Sequence, residues 1–206
     1  MVSTPLLSTM WILSLEWLLL ALLVFWITGA WKRMKRMRAA CKTAFSAVEA
    51  QFVQLLDLLR SCANAELPQQ DAQQVSLQHA RHALLPSAHL LEATLIQAKL
   101  QPLRPETIAA LDSAWQGVQV AWQAYVQLHG AQAQAQALSD EQQEWEQRWS
   151  QLITLQSHST EQFNTAIHAY NGAIAQFPAC VIARLSGLKP GRTFQKDAAL
   201  LMQPPA

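Results

Sequence analysis

The chain has 206 residues, 51% of them hydrophobic, a formal net charge of +1 and three cysteines. Cys41, Cys62 and Cys180 are odd in number, far apart and outside any CxxC or CxxCH pattern, which excludes a disulfide scaffold, a zinc ribbon, thioredoxin chemistry and c-type haem. The basic excess sits in one short cluster and the remainder is neutral to mildly acidic, which argues against a general nucleic-acid binder.

The first element is an apolar run from Trp11 to Trp31, interrupted by one charge, Glu16. As a helix it spans roughly 30 Å, the thickness of a bilayer core. Tryptophan stands at both ends, Trp11 and Trp31, as in an interfacial belt, and the cluster Lys32-Arg33-Met34-Lys35-Arg36-Met37-Arg38 follows. A cleaved signal peptide places its charge before a shorter apolar segment, so the pattern predicts an uncleaved anchor over residues 1–38. Lys and Arg are retained on the cytoplasmic side, which predicts an N-terminus facing out and a cytoplasmic body. Glu16, about one turn inside the outer end, is an intramembrane carboxylate and so a candidate functional residue, but so near the interface a side chain snorkelling to water is the expected reading.

The anchor leaves about 165 residues, enough for one domain with a real core. Glycine is scarce and Ala, Leu and Gln dominate, a helical composition. Ala44, Val48, Phe52, Leu55, Leu59 and Cys62 recur at steps of four and three, one face of a first helix. No Pro or Gly separates this stretch from the basic cluster, so the membrane helix is free to run into the domain. A break is expected at Glu66-Leu67-Pro68. The second helix carries Leu77, Ala80, Leu84, Ala88, Leu91 and Leu95, with Pro86 inside it expected to kink or split it. Pro105 is placed to open the third helix, whose stripe is Ile108, Leu111, Trp115, Val118, Trp122 and Tyr125.

Beyond Gly130 the Ala-Gln alternation reads as a polar helical extension or a loose linker. Ser139-Asp140-Glu141-Gln142 is a capping box opening the fourth helix, which carries Trp145, Trp149, Leu152, Phe163, Ile167, Tyr170, Ile174 and Phe177 and ends at Pro178. The Gly- and Pro-punctuated residues after it lie over the bundle or fray. The fold class predicted is all-α: an N-terminal transmembrane helix, an antiparallel four-helix-type bundle over residues 39–195, and a flexible tail over 196–206.

No phosphate-binding glycine loop, HExxH, GxSxG or paired-carboxylate signature occurs, so no catalytic, cofactor or metal residues are assigned. His79, His82, His89 and Glu92 are spaced to share helix faces, but bundle metal sites combine Glu and Glu-x-x-His ligands from several helices, and a solvated His-rich face is the better reading. Asn164 and Asn171 lie two turns apart, each after an aromatic (Phe163, Tyr170), beside the core stripe. Such amides need partners, and are expected to cap neighbouring helices or fix register.

The segment Phe163-Asn164-Thr165-Ala166-Ile167-His168-Ala169-Tyr170-Asn171, running on to Phe177-Pro178, resembles the LemA family, whose members carry two aromatic-Asn pairs and a Phe-Pro at this place. Ala183, Gly187 and Phe194 stand where the family has its Ala-rich turn, glycine and terminal aromatic. Ala44 to Phe52, Leu56-Asp57-Leu58-Leu59 and Ala80-Arg81 are similar to its first- and second-helix segments. Arg60-Ser61 replaces the usual Pro-Asn, and the arginine before the first aromatic-Asn pair is missing, the marks of a divergent member. The resemblance implies an anchored antiparallel bundle in the bacterial inner membrane, without an established active site. The expected role is a non-enzymatic interaction or scaffold module contacting the bilayer, with a protein partner or self-association and no nucleic acid; the alternative is a sensing bundle with an interhelical ligand pocket.

Overall fold

The apolar segment and the first amphipathic stretch are one helix. In the computed structural model, which describes residues 4–64, 72–133, 140–177 and 179–195, α1 runs unbroken over Thr4–Asn64. Its 61 residues make a rod about 90 Å long. No proline follows Pro5 in this stretch, and a lone glycine, Gly29, weakens a helix without breaking it. This is the one helix among the described residues long and apolar enough to cross a membrane. Its apolar residues there point outward: Leu15, Trp17 and Phe25 are all exposed, Phe25 at 77%. From Met34 onward one side turns inward. Met34, Cys41, Phe45, Val48, Phe52, Leu55, Leu59 and Cys62 are buried at steps that keep one seam facing the core.

Three further long helices complete the bundle: α2 (Ala72–Leu100), α3 (Pro105–Ala133) and α4 (Asp140–Ala175). A short α5 (Ala179–Leu185), not foreseen in the sequence, follows. α1 packs along α4 and α2, and α2 along α3. The pairing is antiparallel. Phe45 meets Phe163 edge to face at 5.7 Å, and the Cys41 thiol donates to the Ala166 carbonyl at 3.3 Å. On the other side Lys99 pairs with Glu49 at 2.6 Å and Arg60 with Glu92 at 2.6 Å. α3 and α4 do not approach backbone to backbone among the described residues. Their gap is filled by indoles: Trp122 stacks on Trp149 at 4.3 Å, and Trp115 sits 6.0 Å from Trp149 and edge-on to Phe52.

Pro86 does not split α2, contrary to expectation. It lies on the solvent side, where the carbonyl it leaves without a donor can take water instead. The α4 seam is also less apolar than its sequence stripe: between Leu152 and Phe163 the buried positions are Gln156, Ser159 and Thr160. Gln156 donates to Thr160 at 3.0 Å and Ser159 to the carbonyls of Leu155 and Gln156, so most of this polarity is satisfied within the helix. The expected break at Glu66-Leu67-Pro68, Ser139 of the capping box, most of the Ala-Gln run, Pro178 and the tail 196–206 lie outside the described residues. α3 continues helical to Ala133, and α4 begins at Asp140.

Candidate functional site

Asn164 and Asn171 are seven residues apart on α4, a rise of about 10.5 Å. Three residues of extended chain cover about 10 Å. That match lets both side chains grip one strand of backbone. Asn171 Nδ2 donates to the Gly191 carbonyl at 2.8 Å while the Gly191 N–H donates to Asn171 Oδ1 at 2.8 Å. Asn164 Nδ2 donates to the Phe194 carbonyl at 3.1 Å and receives the Phe194 N–H at 2.8 Å. Each amide thus replaces one residue of a β-ladder. The two side chains do not cap neighbouring helices; their partner is the C-terminal segment, which they pin along α4.

Side chains from the same segments close the seam. Tyr170 is buried and its hydroxyl donates to the Lys189 carbonyl at 3.2 Å; burial pushes the phenol pKa up, which keeps it the donor. Phe194 is 4% exposed and stands edge-on to Phe163 at 5.4 Å, which itself packs on Phe45. A Cβ on Gly191 would lie 2.9 Å from Ile167 Cδ1, so the backbone comes as near to α4 as a glycine allows. The chain reaches this lane through a Schellman turn after α5. Leu188 N–H bonds the Ala183 carbonyl at 2.9 Å, Gly187 N–H bonds that of Arg184 at 3.2 Å, and Gly187 adopts φ 65°.

The other candidate residues gather where α4 ends beside the apolar part of α1. Phe177 is 77% exposed, and its ring lies 5.7 Å from Trp26. Between them opens a cleft of about 340 Å³ floored by Gly29, Met34 and Ala173 and edged by Arg33. Lys32, Arg33, Lys35 and Arg36 are exposed on α1, with Lys35 Nζ 5.3 Å above the Trp31 ring, a cation–π contact. Trp31 itself packs on the first layer of the core. The Trp11 side chain and Pro178 lie outside the described residues.

The histidine face does not converge. His79, His82 and His89 are exposed, and the Glu92 carboxylate is taken by Arg60, whose hydrogen bond holds it below the usual carboxylate range. Among the described residues no three His, Cys, Asp or Glu side chains are placed to hold a metal. What the arrangement offers is binding surface: aromatic rings, cations and a clamped backbone. Sequence reasoning missed α5 and the Gly191 contact. The signals were there, a proline before a short apolar run, a glycine after it, and a Pro190-Gly191 pair, but each is also the signature of a plain loop.

Comparison with known proteins adds one result. The sequence model of the LemA family matches residues 44–206, from within the buried stretch of α1 through the clamped segment and beyond. No curated protein and no solved structure matches the chain. The matched region takes in both aromatic-Asn pairs and the backbone they hold, and by that match the chain belongs to the LemA family.

Proposed function

We propose that this protein is a non-enzymatic interaction module held at the cytoplasmic face of a bacterial inner membrane by a single N-terminal span. The observation that carries the reading is the uninterrupted α1. An apolar rod that passes through a basic collar straight into a bundle core holds the bundle at a fixed height and orientation. The collar of Lys32, Arg33, Lys35, Arg36 and Arg38 supports a cytoplasmic orientation of the bundle, because Lys and Arg are retained on that side. From Lys32 to Asn64 the rod rises about 50 Å, so helical faces are presented well clear of the lipid. Exposed apolar side chains on those faces, Val53 and Ile96 among them, suit a protein partner or a second copy, and nucleic acid is not expected.

The test is crosslinking and affinity capture from native membranes, with the full chain tagged at its C-terminus and protease added to intact spheroplasts. A defined partner together with a protected tag supports the reading. A tag cut from outside refutes the topology, and no partner in repeated captures refutes the module. A second reading, a ligand-sensing bundle, has one observation in its favour. The buried Trp145 Nε1 has no acceptor, and Trp145 borders a cleft of about 350 Å³ between α1 and α4 that also carries Asp57 and Arg148. Thermal stabilisation by a small polar metabolite would favour that reading.

A further inference from the structure

α5 is apolar on every side except at Arg184. Ala179 and Ala183 face the bundle and are buried. The opposite side presents Val181 at 49% exposure and Leu185 at 84%, and Phe177 at 77% continues the stripe one turn earlier. An apolar helix belongs in a core or in lipid, and among the described residues none covers this face.

Its height decides what does. Phe177 lies beside Trp26, five residues before Trp31 on the same unbroken helix, hence about 7.5 Å deeper along α1 than Trp31 and about 9 Å deeper than Lys32. If residues 11–31 cross the bilayer, the end of α4 is already below the level of the first cation. The charges agree. Nine of the fifteen Lys and Arg residues fall within 32–42 and 184–192. No acidic residue occurs between Glu16 and Glu49, or between Glu161 and Asp197. Both basic groups are exposed and flank the apolar stripe, Arg184 from within α5 and Lys189 and Arg192 just beyond it.

We infer that the α4–α5 elbow, from Phe177 to Leu185, is immersed in the leaflet that the basic side of α1 crosses, so that the bundle holds the membrane at two points. The inference rests on the reading of residues 11–31 as a span. Phe177, Val181 and Leu185 enter the acyl boundary and form one surface with the exposed apolar side of α1. Arg184, Lys189, Arg192 and the α1 collar lie at headgroup height, where anionic phosphates neutralise them. Interfacial helices sink about 5–10 Å, the depth that the Trp26–Phe177 contact requires. The Asn clamp then has a purpose beyond stability: it fixes the chain that leaves α5 and keeps the elbow at one height.

The test uses the full chain in vesicles of phosphatidylcholine and phosphatidylglycerol. Cys180 is replaced by Ser, and one spin label at a time is placed at Val181→Cys, Leu185→Cys, Leu20→Cys or Gln123→Cys, all exposed positions that leave packing alone. Collision with oxygen and with a water-soluble nickel chelate reports depth. Labels at positions 181 and 185 are expected to favour oxygen, at a depth between those of the Leu20 and Gln123 positions. Labels at 181 and 185 that match the Gln123 position, while the Leu20 label lies in hydrocarbon, would overturn the elbow and leave the anchor standing. A Leu20 label that collides with the chelate as freely as the Gln123 label would overturn both.

Discussion

Replacing Asn164 by Leu removes both hydrogen bonds to Phe194 while keeping side-chain volume, so the effect isolates the amide. Each bond contributes about 0.5–1.5 kcal/mol net, and the pair about 1–3 kcal/mol. For a domain of this size that lowers Tm by about 2–12 °C, read by circular dichroism of the full chain in detergent. The sharper readout is local. Gly191 and Phe194 N–H are the two amides the clamp accepts, and their exchange should accelerate roughly 5- to 150-fold, tenfold for each 1.4 kcal/mol. Phe194→Ala, from a position 4% exposed, should cost about 3–5 kcal/mol by the same assay. Because amide and ring hold one segment, the double variant should lose less than the sum of the two: once the segment is off, nothing remains to lose. Unchanged exchange at both amides, or strict additivity of the two substitutions, would refute the clamp as the device that holds this segment.

Gly187, at φ 65°, should tolerate Asn better than Ala, and Gly187→Ala should cost about 1–2 kcal/mol and loosen the Leu188 amide. Cys41 and Cys62 are fully buried, and burial pushes the Cys41 thiol pKa up, so N-ethylmaleimide should modify half-buried Cys180 first and the other two only on unfolding, as mass spectrometry would register. The Glu92 pKa is lowered by the hydrogen bond from Arg60, so this pair's contribution is present above the ordinary carboxylate range and fades as pH falls through the lowered folded value. Arg60→Ala should raise the Glu92 pKa toward the ordinary carboxylate range by NMR, with His89 at 3.8 Å still beside it, and flatten that part of the acid limb.

The long helices were legible because burial follows a period the sequence displays. Val48, Phe52, Leu55, Leu59 and Cys62 on α1, and Ile108 to Tyr125 on α3, are all buried as their spacing requires. The two asparagines stood out for the same reason, as polar groups beside an apolar stripe. Their partner did not, because residues 189–195 are extended and irregular and make no pattern of their own; only the match between the rise of α4 and the span of three extended residues reveals the pairing. α5 escaped notice because seven residues, apolar except for Arg184, between a proline and a glycine fit a loop, a strand or a helix equally. The polar middle of α4 escaped for the opposite reason: Gln156, Ser159 and Thr160 look like a solvent face until their hydrogen bonds are seen to close within the helix.

An α1 without a hinge makes azimuth, as well as height, a property of the whole protein. Adding one residue between Ala30 and Met34 would turn everything beyond it by about 100° and advance it by only about 1.5 Å. The face of the bundle shown to a neighbour is therefore keyed to the face of the apolar segment shown to its own surroundings. Anything that rotates that segment, such as pairing with another helix along Leu15–Ile27, would turn the distant end of the bundle, about 50 Å past Lys32, through the same angle. The rod would then act as a crankshaft, conveying rotation where a jointed tether would conserve only distance.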